Sequence, residues 1–288
     1  MAHFLLPLAA AVLKFFCREV AVRYASLVCL FFLVVGLAAA PRSAARSKET
    51  GFLDRSVSVH GQTYRYQVFV PATWSAKQNW PIILFLHGAG ERGSDGLLET
   101  DVGLPHAIRQ DRSRFPAVVV MPQCLRDGWW PTREMEEMAL GALSAATKEF
   151  NGDRKRTYLT GLSMGGFGTW DLAWRYPGKF AAVVPICGGL SAPPSQLKMH
   201  PELEKNSYPD EPRSYAEVAK KIGKTPVWIF HGDADEAVPV ANSRKMYEAL
   251  EAAGGDVRYT EYPGVGHNSW DKAYADRELT TWLFSKSL

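Results

Sequence analysis

Six short apolar segments from residue 81 onward place the strongest limit on how this chain can fold. They are rich in β-branched residues, hardly alternate with polar residues, and several are separated by stretches of helical periodicity. Runs of this kind are typical of strands buried on both faces, and hence of a parallel sheet covered by helices. The segments are PIILFLHG, PAVVVMPQ, RTYLTGLS, FAAVVPICGG, TPVWIFHG and VRYTEYPG.

Two earlier segments alternate between apolar and polar residues and predict a different local structure. SVSVHG and YRYQVFVP meet at His60-Gly61, which indicates an antiparallel hairpin. A hairpin followed by repeated β-α units predicts an α/β fold with a mostly parallel sheet and helices on both faces. We therefore expect one domain over residues 46–288, interrupted by a Pro-rich polar insertion at 191–212.

Charge is distributed unevenly along the 288 residues. Residues 1–48 hold six basic residues against one acidic residue, a net of +5, so the +3 of the whole chain leaves −2 for the remainder. A mildly acidic folded part gives no reason to expect a nucleic-acid partner.

The basic N-terminal segment has the pattern of a leader. Tyr24 to Ala40 is a run of seventeen residues without a charge, preceded by Arg18 and Arg23. This pattern predicts a signal peptide within residues 1–45 and export to the periplasm or the medium. A membrane anchor is the alternative, because seventeen residues reach the lower limit for a membrane span.

A glycine pattern near residue 90 resembles a nucleotide-binding fingerprint but lacks its context. Gly88, Gly90 and Gly93 spell G-x-G-x-x-G directly after a predicted strand. The fingerprint requires a helix that opens at the glycines, whereas the sequence here continues as SDGLLETDVGLP. We therefore expect no nucleotide cofactor, and no cluster of His, Cys, Asp and Glu has the spacing of a metal site.

The segment around Ser163 predicts nucleophilic catalysis. Residues 161–165 form G-x-S-x-G between a predicted strand and a predicted helix, which is the context of a nucleophile elbow. An acid and a histidine follow in the required order: Asp233 and Asp235 lie just after one strand, and His267 lies just after the last. Carboxyl ends of parallel strands meet at one edge, so these side chains are expected to converge.

From about Phe52 to Leu288 the chain resembles the α/β-hydrolases. It is most similar to secreted bacterial esterases of the polyhydroxybutyrate-depolymerase and feruloyl-esterase type, often labelled predicted peptidases. The matching segments are FLHGAGERG, VVMPQC, GLSMGGFGTWDLAWRYPGKFAAVVPICGG, HGDADEAVP and GHNSWDKAYAD.

The resemblance implies roles for individual residues. Its pattern H-G-x-x-D-x-x-V-P selects Asp235 over Asp233 as the acid that orients His267. It also implies that the backbone N–H groups of Ala89 and Met164 form the oxyanion hole.

Other side chains near the predicted strand ends give weaker indications. His87 and His231 each precede a glycine and are interpreted as histidines that stabilise loops. Trp129, Trp130 and Trp270 are predicted to contact substrate, because they follow strands or lie near His267.

Taken together, the residues and the resemblance predict a serine hydrolase that cleaves small-molecule or polymer-derived carboxylic esters through an acyl-enzyme. A peptidase of the same fold acting on short peptides is the first alternative. A non-catalytic binding protein is the second, and the complete Ser, Asp and His set in the correct order argues against it.

Overall fold

The structure of the protein is a computed structural model that describes residues 49–206 and 208–288. The predicted leader lies outside the described residues. In the part described, the strands form one eight-stranded sheet in the order β1-β2-β4-β3-β5-β6-β7-β8. The strands are β1 (Gly51–Val59), β2 (Gln62–Val70), β3 (Trp80–Leu86), β4 (Val118–Pro122), β5 (Gly152–Leu162), β6 (Ala182–Ile186), β7 (Val227–Gly232) and β8 (Val257–Tyr262).

The N-terminal hairpin is confirmed. Strands β1 and β2 pair antiparallel from Val59 opposite Gln62 outward. The two turn residues His60 and Gly61 both have positive φ, 49° and 82°. This is the geometry of the tight two-residue turns whose twist matches that of the flanking strands.

The remaining six strands run parallel to one another, as the unalternating apolar segments predict. Every residue of β3, β4, β6 and β7 is buried. Such strands cannot face water on either side, so helices must cover both faces. The predicted fold class, a mostly parallel α/β sheet with an antiparallel N-terminal hairpin, is therefore confirmed.

Helices cover the sheet on two sides and divide the buried side chains into two clusters. One cluster includes Met135, Met138 and Trp170, and the other includes Tyr274 and Trp282. Burying one such side chain contributes about 2 kcal/mol, so both faces contribute to stability. The helices are α1 (Leu104–Gln110), α2 (Arg133–Glu149), α3 (Met164–Arg175), α4 (Pro194–Met199), α5 (Leu203–Asn206), α6 (Pro212–Ile222), α7 (Ala241–Ala252), α8 (Trp270–Ala275) and α9 (Arg277–Phe284).

The segment predicted to be an insertion, 191–212, contains the two short helices α4 and α5 between β6 and α6. Glu49–Leu288 forms one compact unit by its internal contacts. Within the described ranges, no helix combines the length and the apolar character that crossing a membrane requires.

Candidate active site

Ser163 occupies a sharp turn between β5, which ends at Leu162, and α3, which begins at Met164. Its φ of 51° and ψ of −117° are strained for a residue with a side chain. Two backbone hydrogen bonds hold the turn: the Ser163 N–H donates to Ile186 O at 3.0 Å, and the Phe167 N–H donates to Ser163 O at 3.1 Å. The turn presents the serine hydroxyl at the carboxyl edge of the sheet.

The glycines around Ser163 are needed for close backbone approach. A Cβ on Gly165 would lie 1.9 Å from Leu86 O, and a Cβ on Gly161 would lie 2.4 Å from Gly165 O. Neither glycine has positive φ; within this turn only Ser163 itself does. The close contact brings the start of α3 against the end of β3, which fixes the direction in which Ser163 points.

Ser163, His267 and Asp235 are joined by hydrogen bonds although 104 and 32 residues separate the pairs. His267 Nε2 lies 2.8 Å from Ser163 Oγ, and His267 Nδ1 lies 2.8 Å from Asp235 Oδ2. With a proton on Nδ1, the ring donates to the carboxylate and leaves Nε2 free to accept the serine proton.

The carboxylate of Asp235 is saturated with donors. Its Oδ1 accepts the N–H groups of Ala237 and Val238, each at 2.9 Å. Burial pushes the pKa of Asp235 upward, but the hydrogen bonds from His267 and from these backbone groups outweigh it, so the pKa lies below its ordinary value. Asp235 is therefore held ionised beside His267.

Asp233 has a different role in the structure. Its side chain is exposed, and its Oδ1 accepts the N–H of Gly264 at 2.6 Å. It thus ties the loop after β7 to the loop after β8, while the carboxylate that reaches His267 belongs to Asp235.

A second histidine also contacts Asp235, which sequence reasoning missed. His231, the fifth residue of β7, is fully buried, and its Nε2 lies 3.1 Å from Asp235 Oδ2 and 3.0 Å from Val238 O. Its Nδ1 lies 2.7 Å from Ser243 Oγ on α7. The four-residue spacing from His231 to Asp235 was visible in the sequence, but the contact depends on how the loop after β7 turns back.

The two residues predicted to form an oxyanion hole lie at the start of α3 and in the loop after β3. Met164 is the first residue of α3, so its N–H has no intrahelical acceptor. Ala89 is exposed and begins a short 3₁₀ helix, Ala89–Glu91. The preceding Gly88 is close to the nucleophile, because a Cβ there would lie 3.8 Å from Ser163 Cβ.

The tryptophans differ from the sequence-based expectation. Trp129 and Trp130 are only 4% and 2% exposed, so they pack in the core and do not form a substrate wall. Trp130 donates its Nε1–H to His87 O at 2.9 Å, and Trp129 packs against Phe167 with ring centroids 5.3 Å apart. A loop that folds inward after β4 buried side chains that the sequence placed at the rim.

Trp270, by contrast, lies at the site. It is half-buried at the start of α8, and its ring stands perpendicular to His267 with centroids 5.3 Å apart. The arrangement packs the indole against the imidazole of His267 and leaves part of the indole accessible.

A cavity of about 670 Å³ lies between the start of α3, the segment 191–212 and the loop after β7, and Ser163, Asp235 and His267 are not among its lining residues. One wall is Phe167, whose N–H bonds Ser163 O, and another is Ala237 to Pro239, which includes donors to Asp235. The segment 191–212 supplies most of the remaining lining, which is largely apolar and includes Leu197. At the rim, Asp210 pairs with Lys245 at 2.8 Å. The cavity has the size and character of a small-molecule pocket.

One group of potential metal ligands occurs among the described residues, and it overlaps the same site. Ligand atoms of Cys187, Asp235 and His267 lie within 4.8 Å of one another. Burial raises the pKa of the Cys187 thiol to about 12, whereas metal binding requires the thiolate. The histidine and the aspartate already bond each other, so the donor set fits proton transfer better than metal coordination.

Comparison with known proteins places the chain among hydrolases. The model of the prolyl oligopeptidase family, Peptidase_S9, matches residues 127–286, more than half of the chain. A thermostable esterase of known structure superposes with a TM-score of 0.69 at 31% identity, over 82% of this chain and 63% of that one. The feruloyl esterase module of Clostridium thermocellum, at 18% identity and a TM-score of 0.60 over 81% of this chain and 86% of that one, shares the α/β-hydrolase fold.

Two curated relatives are similar over part of their length. An uncharacterized secreted protein of Arthroderma benhamiae is 25% identical over 65% of this chain, and poly(3-hydroxyalkanoate) depolymerase C of Paucimonas lemoignei is 30% identical over 39%. The chain spans 21% and 27% of the lengths of these two relatives.

Proposed function

The chain belongs to the prolyl oligopeptidase family, and we propose that it is a serine hydrolase that cleaves carboxylic esters through an acyl-enzyme intermediate. The observation that carries the proposal is the chain of two 2.8 Å hydrogen bonds from Ser163 through His267 to Asp235. The likeness to a thermostable esterase at 31% identity supports the choice of esters.

In the proposed mechanism Ser163 Oγ attacks the ester carbonyl carbon while His267 Nε2 takes the hydroxyl proton. A serine hydroxyl is a weak nucleophile without such a base. Asp235 keeps the proton of the neutral imidazole on Nδ1 and stabilises the imidazolium that forms. His267 then gives its proton to the departing alkoxide, and the carbonyl is left bonded to Ser163 as an ester.

Water completes the cycle by the same two steps, with water as the nucleophile and Ser163 as the leaving group. His267 removes a proton from water, the hydroxide attacks the acyl carbon, and Ser163 leaves with the proton returned by His267. In both halves the negative oxygen of the tetrahedral intermediate would be bound by the N–H groups of Met164 and Ala89. Removing one such donor typically costs about 3 kcal/mol of transition-state stabilisation.

The cavity lined by Phe167, the segment 191–212 and Ala237 to Pro239 suits a bulky apolar group of the substrate. Phe167 donates its N–H to Ser163 O, and Ala237 and Val238 donate theirs to Asp235, so we propose that the cavity receives a group attached to the reacting carbonyl. Rigid walls of proline and aromatic side chains favour flat apolar groups over flexible polar ones. Trp270, half-buried beside His267, is proposed to contact the substrate on the other side.

Cleavage of short peptides is the second candidate, because the family to which the chain belongs is named for an oligopeptidase. An amide demands protonation of a poorer leaving group than an ester does. The two functions are separated by comparing p-nitrophenyl esters with acyl and peptidyl p-nitroanilides at equal enzyme concentration, with active sites counted by a fluorophosphonate.

We expect covalent labelling at Ser163, turnover of the esters, and turnover of the anilides lower by at least 100-fold. A reversed ranking would identify a peptidase. Folded protein that neither labels nor turns over any substrate would contradict both candidates and favour a binding protein.

Export is part of the proposal. It is supported by the uncharged run Tyr24–Ala40 behind two arginines, and one relative is a secreted protein. N-terminal sequencing of protein recovered outside the cytoplasm tests it. A new terminus near residues 41–46 supports cleavage, and an intact Met1 in the membrane fraction supports the anchor.

A further inference from the structure

The buried histidine His231 contacts the proposed triad without being part of it. Asp235 Oδ2 receives two imidazole nitrogens, His267 Nδ1 at 2.8 Å and His231 Nε2 at 3.1 Å. The first ring is partly exposed and faces Ser163, whereas the second is enclosed on all sides. The mechanism above gives this second ring no task.

We infer that His231 is a positioning residue, which holds Asp235 in the orientation and charge state that His267 needs. This inference rests on the proposed function, because it assigns a role in the same reaction.

The contacts of His231 fix the position of its proton. Nε2 faces two acceptors, Asp235 Oδ2 and Val238 O at 3.0 Å, so Nε2 carries the hydrogen and shares it between them. Nδ1 faces the hydroxyl of Ser243 at 2.7 Å, and a hydroxyl can donate to an unprotonated nitrogen. Because burial lowers the pKa of His231, the ring is neutral, with Ser243 donating to Nδ1 and Nε2–H donating to Asp235.

Neutrality matters for the reaction. A charged imidazolium at position 231 would neutralise Asp235 and weaken its attraction for the imidazolium that forms at His267. Burial lowers the pKa of His231, which favours the neutral form of its ring. Ser243 is 1% exposed, so water does not replace its hydroxyl.

The other ionisable groups near His231 leave this arrangement undisturbed. Glu261, opposite His231 on β8, is paired with Arg244 at 2.6 Å, and its pKa is lowered to about 2, first by that hydrogen bond and next by Tyr259. The thiol of Cys187, whose pKa burial raises to about 12, stays protonated. The groups of this neighbourhood whose charge matters are thus Asp235 and the two histidines.

Two amide substitutions of His231 distinguish a role of its hydrogen bond to Asp235 from a role of its packing alone. In His231→Gln the amide nitrogen reaches the place of Nε2 and can still donate to Asp235. In His231→Asn the shorter amide stays near the place of Nδ1 and cannot. We expect His231→Asn to lower kcat about 10- to 100-fold with KM little changed, the range for losing a hydrogen bond to a charged group, and His231→Gln to retain activity within a few-fold.

The pH profile gives a readout that packing alone would not move. Without the second donor the charge of Asp235 acts on His267 alone and favours its imidazolium. The acid limb of kcat/KM, set by protonation of His267, should therefore move to higher pH by on the order of one unit in His231→Asn, and stay in place in His231→Gln.

His87→Asn is the matched control, since His87 is equally buried at the end of β3 and does not contact Asp235. Whatever this change does to the rate, it should leave the acid limb in place.

Active sites are counted with a fluorophosphonate before every comparison. An unlabelled wild type without ester turnover would contradict the proposed function. A labelled and active wild type, with His231→Asn equal to it in kcat and in acid limb, would overturn the positioning role alone. If His231→Asn does not fold, Ser243→Ala decides: we expect kcat to fall several-fold, and an unchanged kcat would overturn the inference.

Discussion

The candidate active site has two sides, one at the end of β3 and one at the end of β7. Each side contains a His-Gly pair, and the two histidines hold different groups in place. His87 follows β3 and His231 lies near the end of β7; both are fully buried, and both precede a glycine. His87 accepts the N–H of Cys124 at Nε2 and bonds Gly88 O through Nδ1, so it carries its proton on the opposite nitrogen from His231. Burial lowers the pKa of His87 to about 4, and both rings are neutral. One braces the loop of the proposed oxyanion hole, and the other braces an acid.

The buried acids of the two sides contrast more sharply. Glu99, on the β3 side, is 0% exposed, and within the described residues no side chain donates a hydrogen bond to its carboxyl group. Burial raises its pKa to about 7. Asp235, on the β7 side, has four donors and a lowered pKa. The pKa values of these two buried carboxyl groups are thus shifted in opposite directions, because donors decide which form of a carboxyl group the protein stabilises.

The largest expected effect comes from replacing Ser163, which lies between the β3 side and the β7 side. Ser163→Ala should lower kcat by about 10⁴- to 10⁶-fold while the protein stays folded, because the nucleophile is lost and its neighbours remain. Ester turnover and circular dichroism of the purified variant test this. An alanine variant with appreciable turnover would show that another nucleophile acts.

Next in size is the difference between the two aspartates of the β7 side. Asp235→Asn should reduce kcat by about 10⁴-fold, because an amide in this place favours the wrong tautomer of His267. Asp233→Asn should keep most activity, since Asp233 bonds Gly264 and not His267. Steady-state kinetics of both variants rank them, and the reverse ranking would reassign the acid.

The fold could be predicted further than the site. The unalternating apolar runs predict the parallel strands, and His60-Gly61 predicts the hairpin. Both predictions succeed because burial on two faces and a tight turn each restrict which residue types can occur.

At the site, the order of Ser163, Asp235 and His267 indicated which residues meet, and the structure brings them together. The contacts of His231 with Asp235 and with Ser243, and the burial of Trp129 and Trp130, could not be predicted. These depend on how loops after β4 and β7 fold back, and short-range sequence patterns carry little information about such loops.

A smaller effect concerns the contribution of Glu99, on the β3 side, to the pH dependence of stability. Because the folded-state pKa of Glu99, about 7, lies above its ordinary value of 4.5, folding takes up a proton between these values. The free energy of unfolding should therefore fall as the pH rises from about 4.5 to about 7, by at most about 3 kcal/mol from this group, and level off above.

In Glu99→Gln this part of the pH dependence should disappear, whatever the variant's absolute stability. Urea unfolding at pH 5, 6, 7 and 8 measures it. Wild type and variant with parallel stability curves would show that Glu99 is ionised in the folded protein, as Asp235 is.

The smallest expected effect tests the cavity, which is lined by Phe167 of α3, by the segment 191–212 and by residues 237–242 after β7. Leu197 lines it from α4, whereas Met199 on the same helix is 52% exposed and does not line it. Leu197→Trp should lower kcat/KM about tenfold for an aryl ester with a bulky acyl group and spare the acetate ester, because the indole fills space that only the large group needs.

Met199→Trp is the control and should leave kcat/KM unchanged for both the bulky ester and the acetate ester. Equal losses for acetate and bulky esters in Leu197→Trp would mean that the cavity does not receive the acyl group.

The close backbone contacts at the turn of Ser163 also bear on how the protein loses activity on heating. Four segments meet there through glycines without intervening side chains: the end of β3 at Leu86, the end of β5 at Gly161, the start of α3 at Gly165 and Gly166, and the loop after β6 at Gly188. Because these contacts are between backbones, none of the four segments can unfold while the other three stay packed. Thermal inactivation should therefore coincide with melting of the central sheet, and should not precede it as it does in enzymes whose nucleophile lies on a separable loop.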